Sequence, residues 1–177
     1  MALQASINVG LDIRRTATPD FGTDAYAHSA SWLKSLLDGT GSGQANKVFV
    51  DKVQLAGAGT ITYDLDAGTL ADPSGVSGGV VAGFSRIVAI CIRRTDAPAA
   101  GTQDENVNLL GDFVKSKLLG GWVDDAIVIP IRPGGIFLFV APDATGVAIT
   151  AATGDELTLT NASAGDTVNL EVVIIGS

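Results

Sequence analysis

The sequence predicts an all-β protein, an antiparallel β-sandwich of jelly-roll type, with one short helix near residues 24–38. Three observations point there. Apolar residues come in short runs that either alternate with polar ones or are continuous. Clusters of Gly, Pro, Asp and Ser separate these runs at close intervals. No helical segments alternate with the strands, as a parallel sheet would require. The 22 glycines and scarce aromatics, 6% of the chain, fit short strands and tight turns.

Taken in order, the first strand runs from Leu3 to Ile13, with Leu3, Ala5, Ile7, Val9, Leu11 and Ile13 at every second position. That alternation predicts one face on a core and one on water or a partner. Pro19 and Gly22 then break the pattern. Trp32, Leu33, Leu36 and Leu37 fall at three-and-four spacing, which predicts a helix over Asp24–Leu37 ended by Gly39. Gly39-Thr-Gly-Ser-Gly43 reads as a flexible connection, since it lacks the Gly-Lys-Ser/Thr and the preceding strand of a phosphate loop. Strands follow at Lys47–Leu55 and Thr60–Asp66, joined by a hairpin turn at Gly57-Ala-Gly59. Asp72-Pro-Ser-Gly75 marks a turn in a loop-rich stretch. Arg86–Arg93 is nearly continuous in apolar residues and predicts a central strand covered on both faces. The glycines of Val107–Trp122 favour strand or irregular structure over a helix carrying Phe113, Val114 and Leu118. Ala126–Ile131 and Ile136–Ala141, joined by Pro133-Gly-Gly135, read as a buried hairpin. Gly146–Thr150, Glu156–Thr160 and Thr167–Ile175 complete the strands, with Asn161, Gly165 and Asp166 turning the last two.

A chain of 177 residues predicts one domain over 1–177 that buries roughly two-thirds of its unfolded surface. Residues 1–46 stand somewhat apart as an N-terminal strand and helix arm. The formal charge of −8 argues against nucleic acid as a partner, because phosphate contacts need clustered cations. No run approaches the roughly 18 apolar residues of a membrane span, and no basic-then-apolar leader opens the chain. A soluble protein made in a cytoplasm is the expectation. The single Cys91 forbids an intrachain disulfide, and its apolar neighbours predict an inert, buried thiol.

Catalytic vocabulary is sparse. His28 is the one histidine, so every His-based relay or metal site would have to pass through it. Asp64/Asp66, Asp124/Asp125 and Asp155/Glu156 are paired carboxylates, of which the first pair has the spacing to share a strand face and hold a hard cation. Asp-rich turns are far more often solvated, and the chain lacks the exposed aromatic cluster a sugar site would use. The reading is therefore not an enzyme, with no catalytic residue, no cofactor and no metal. Ile13-Arg-Arg-Thr16 recurs as Ile92-Arg-Arg-Thr95, each at a strand end. Either both pairs are solvated, or Arg14, Arg15, Arg93 and Arg94 are interface residues whose forked guanidiniums grip carboxylates of a neighbouring subunit.

One resemblance spans most of the chain from Leu37 onward. The segment Leu37-Asp-Gly-Thr-Gly-Ser-Gly-Gln-Ala-Asn-Lys-Val48, with Pro133-Gly-Gly135, Val140-Ala-Pro142, Gly146, Gly154-Asp155, Leu157, Asn161, Gly165 and Val173-Ile-Ile-Gly176, resembles a family of tailed-bacteriophage virion proteins. The resemblance implies a particle component similar to capsid decoration or cement proteins. Its partners would be the major capsid protein and further copies of itself, with a homotrimer preferred. It would reside on the capsid surface of a virion assembled in a bacterial cytoplasm. A tail, spike or fibre-base component is the first alternative, and a carbohydrate-binding β-sandwich module the second. On this view the alternating N-terminal strand lies on the host surface or exchanges between subunits.

Overall fold

The computed structural model describes residues 3–17, 24–68, 70–71, 80–81, 83–96, 106–121, 128–141 and 145–177. Its strands in chain order are β1 (Ala5–Ala17), β2 (Asp24–Asp38), β3 (Gln44–Ala45), β4 (Lys47–Leu55), β5 (Thr60–Asp64), β6 (Leu70–Ala71) and β7 (Val80–Val81). There follow β8 (Arg86–Arg94), β9 (Val107–Leu110), β10 (Ile129–Ile131), β11 (Ile136–Val140), β12 (Val147–Ala148), β13 (Glu156–Asn161) and β14 (Val168–Gly176). Among the described residues, helix is confined to a tight π-helical turn at Val114–Leu118 after β9.

Two antiparallel sheets pack face to face. One has the order β11-β8-β14-β4, with β12 also pairing β8; the other has the order β10-β9-β13-β5. The connections β4 to β5, β8 to β9, β10 to β11 and β13 to β14 each pass from one sheet to the other. Alternation along the strands builds the interior. Phe49, Ile90, Ile92, Leu170, Val172 and Ile174 of the first sheet meet Tyr63, Val107, Leu109, Ile131, Leu157 and Leu159 of the second, while Phe84 and Phe113 also lie in this core. The Tyr63 ring stands edge-on to Phe49 at 5.3 Å between centroids. Its hydroxyl donates to Asp51 Oδ2 at 2.9 Å, bridging the sheets. Burial first, and the Asp51 carboxylate second, push the phenol well above its ordinary pKa, so it stays protonated and donating.

The strands expected at Lys47–Leu55, Thr60–Asp66, Arg86–Arg93, Ile136–Ala141, Glu156–Thr160 and Thr167–Ile175 are present within a residue or two. Four expectations need correction. Asp24–Asp38 is a strand, not a helix: it pairs with β1 in unbroken register from Ala5↔Leu36 to Ala17↔Asp24. The thirteen backbone positions of β1 need a partner ladder, and only an extended β2 supplies it. Pro133-Gly-Gly135 does not close a hairpin, because β10 pairs β9 in one sheet and β11 pairs β8 in the other. Gly57-Ala-Gly59 likewise turns the chain between sheets, from β4 to β5. A turn sequence specifies the reversal but not whether the flanking strands pair with each other. In the described part of Val107–Trp122, Val107–Leu110 is strand, but Phe113, Val114 and Leu118 lie on a helical turn and not on strand or irregular structure as expected, with Phe113 and Val114 buried. Asp72-Pro-Ser-Gly75 and Asp124/Asp125 lie outside the described residues.

Candidate interaction surface

β1 and β2 form a two-stranded ribbon whose apolar face is set by register. Ala5 faces Leu36, Ile7 faces Lys34, Val9 faces Trp32 and Leu11 faces Ala30, all on one side. At its root this face is covered. Leu36 is buried with Ala45 and Val88, and Leu3, Ala5, Ile7 and Ile175 pack around them. Farther along, the same face is open: Trp32 is 46% and Leu11 56% exposed, with Val9 and Ile13 also exposed. The opposite face is open too, with Leu33 at 63%. The ribbon thus leaves the sandwich as an arm.

The root is fixed by polar contacts that the sequence did not reveal. Arg86 donates from Nε to Ser177 Oγ at 2.7 Å, from one terminal nitrogen to the Thr145 carbonyl at 2.7 Å, and from the other to the carbonyls of Gly41 and Gln44. It clamps the Gly39–Gly43 connection, from which the arm departs, to β8. Gln44 Oε1 accepts the Gly41 amide at 2.8 Å, and Lys34 Nζ donates to the Ala141 carbonyl at 3.1 Å. Nothing in a lone arginine ahead of an apolar run signals such a clamp, since its acceptors come from three distant segments.

Beside the root lies a second open apolar surface, the outer face of the β11-β8-β14-β4 sheet. Registers place Leu138, Cys91, Val173 and Val50 in one row across all four strands. Leu138 is 40% exposed and Val50 is exposed alongside it, while Cys91 and Val173 are half-buried. The row above, Val140, Ala89, Ile175 and Val48, reaches the ribbon root through Ile175. The row below is Ile136, Arg93, Glu171 and Lys52, where Glu171 pairs with Arg93 at 3.0 Å and Lys52 at 3.1 Å. The sequence did carry a signal for this surface. Ile136–Val140 and Ile87–Ile92 are apolar on both faces, the pattern of strands covered on both sides. On this sheet only the inner face and the root row are covered.

The predicted arginines separate. Arg93 points outward from this face, and its carboxylate partner is Glu171 of the same chain. Arg94 points inward, 3% exposed, and pairs with Asp96 through Nε at 2.6 Å. Arg94 is therefore part of the domain's own packing rather than of an exposed patch. Arg14 and Arg15 sit opposite Ala27 and Tyr26 in the ribbon, and His28 opposite Ile13; their side chains lie outside the described residues. Cys91 is not in the core as expected but on the outer face. Burial raises its thiol pKa, as does Glu171, against a lowering by Arg93, which keeps it a weak nucleophile.

Carboxylates elsewhere are engaged with backbone. Asp64 Oδ1 accepts the amides of Asp66 at 3.1 Å and Ala67 at 2.9 Å, so the predicted pair forms a turn instead of a shared face. Asp155 Oδ2 accepts the Ala152 amide, and Asp112 Oδ1 those of Asp155 and Glu156. Among the described residues no group of three His, Cys, Asp or Glu side chains is placed to hold a metal, and no helix is long and apolar enough to cross a membrane. A scan against models of known protein families finds no match, and neither does a search of the curated proteins.

Proposed function

We propose that this chain is a structural virion protein that decorates or cements a bacteriophage capsid through contacts with the shell and with its own copies. The observation that carries the reading is the pairing of a closed β-sandwich core with two open apolar surfaces, the arm and the outer sheet face. Such surfaces suit burial against protein rather than turnover of a small molecule. The wiring supports the same reading. The sheet orders β4-β14-β8-β11 and β5-β13-β9-β10, with most connections crossing between sheets, support a jelly-roll reading of the sandwich, an architecture used in viral shells. The resemblance of Leu37–Val48 and the later turns to phage virion proteins adds the particle. A homotrimer seated on the major capsid protein is the arrangement proposed.

Quantitative protein analysis of separated phage heads and tails tests it. A decoration protein accompanies purified heads in copy number comparable to the major capsid protein. Recovery in tails at a small fraction of that number would instead make it a tail or fibre-base part, and absence from both would end the virion reading.

A further inference from the structure

We infer that the β1/β2 arm of one copy docks, by its apolar face, on the outer face of the β11-β8-β14-β4 sheet of a second copy, along the row Leu138, Cys91, Val173 and Val50. The inference rests on the reading of the chain as an assembly protein but not on the identity of the particle.

Three observations favour a second copy as the occupant. First, the contact already exists in small form within the chain: Ala5, Ile7 and Leu36 of the arm root lie on Val88 and Ile175 of this same sheet. The open part of the arm continues the same face in the same register, with Val9, Trp32, Leu11 and Ala30, and the open row continues the same sheet surface one step away. Donor and acceptor are thus both extensions of one interface. Second, β8 and β11 are apolar on both faces, a pattern that calls for a covering layer, and their outer face has none beyond the root.

Third, the arm is long enough to cross the row. The nine pairs from Val9↔Trp32 to Ala17↔Asp24 make an arm roughly 30 Å long and about 10 Å wide, at about 3.4 Å per residue and 4.8 Å between strands. The row is four strands, roughly 19 Å, across, so one arm on one sheet buries roughly 400 Å² counting both sides. A reciprocal dimer joins two such contacts in one interface of roughly 800 Å², the size of a weak, concentration-dependent association, while a closed ring of three has one contact in each of its three interfaces. The salt-bridged row of Arg93, Glu171 and Lys52 then lies at the margin, where exposed ion pairs belong in an interface.

Light scattering on the full-length chain, without capsids, tests the inference with Leu11→Asp on the arm and Leu138→Asp on the sheet. Both sites are exposed, so circular dichroism should match wild type, and any difference in melting temperature should shrink on dilution as the wild type dissociates. The wild type is expected to be oligomeric, and each variant alone to weaken association at least tenfold. An equimolar mixture of the two should associate more than either variant alone but less than wild type, because only one of the two contacts, the intact arm of one on the intact sheet of the other, can form. As a second readout, cysteine placed singly at Val9, Leu11 or Ile13 should give, at one of these positions, an oxidised dimer through the native Cys91 of another copy, which Cys91→Ala abolishes. A monomeric wild type would overturn the inference. So would an oligomer that survives both aspartates, or one that depends on Leu11 but not Leu138, which would mean arm-on-arm pairing. Head binding by a chain that fails these tests would sink the arm exchange and leave the proposed function standing; a chain that passes them yet never accompanies heads would do the reverse.

Discussion

Asn161 shows how a single side chain can hold a corner of this fold. It is buried at the end of β13, where Nδ2 donates to the carbonyls of Ala56 at 3.0 Å, Asp166 at 2.7 Å and, more weakly, Leu55, while Oδ1 accepts the Ser163 amide at 3.0 Å. Two passages between the sheets, β4 to β5 and β13 to β14, are pinned together there. Asn161→Ala strands several buried polar groups and should cost about 3 kcal/mol in urea unfolding. The pairing of Arg94 with Asp96 makes a prediction in pH. Burial acts to raise the Asp96 carboxyl, but the hydrogen bond from Arg94 and that from the Asn169 amide outweigh it and hold the pKa below its ordinary 3.8. A carboxyl with a depressed folded-state pKa stabilises fully above the unfolded value and loses that contribution as pH falls through the folded one. Stability measured from pH 6 downward should therefore drop below about pH 4, and Asp96→Asn should flatten part of that drop. Gly111 adopts φ +107°, and a Cβ there would sit 2.3 Å from the Glu156 carbonyl oxygen. Gly111→Ala should cost at least about 2 kcal/mol, read from the melting midpoint.

At the scale of elements, β2 explains what the sequence hid. Trp32, Leu33, Leu36 and Leu37 satisfy helical spacing, yet as a strand they divide between faces: Trp32 and Leu36 on the side of Val9 and Ala5, Leu33 and Leu37 on the other. A local period with apolar residues on both faces does not choose between these states; the long alternating partner β1 does. The same limit applies at Pro133-Gly-Gly135, where the reversal was legible but the sheet change was not. Most strand positions from Lys47 onward were legible because alternation and turn residues agree there, but the two-residue β6 and β7 fall in the stretch expected to be loop. Of the interaction surface, the alternation of Leu3–Ile13 was visible, while its division into a covered root and an open arm depends on where Val88 and Ile175 fall in space. The Arg93 and Arg94 repeat looked like one feature and is two, since neighbours on a strand face opposite ways. Arg86→Ala removes donors to Ser177, Thr145, Gly41 and Gln44 together. Limited proteolysis of that variant should cut at Gly39–Gly43 several-fold faster than in wild type, while the sandwich persists as a resistant fragment.

For the whole molecule, the division of labour is between a core that is closed and surfaces that are not. Leu157, Leu159, Ile90, Val172 and their neighbours are fully buried between two sheets, and they account for the fold. Val9, Leu11, Trp32, Ile136 and Leu138 are apolar and exposed, and they account for nothing within the isolated chain. Large apolar side chains grouped on two such surfaces are a cost in water that burial against a partner would remove. The proposed function places the chain's work on these surfaces. Hydroxyl-radical footprinting of the protein, free and mixed with purified phage heads, measures their burial. Oxidation of Trp32, Leu11, Ile136 and Leu138 should fall several-fold on assembly, while Val128 and Pro130, exposed at β10 of the opposite sheet, stay reactive. Equal oxidation of Trp32 and Leu138 in both states would contradict the account.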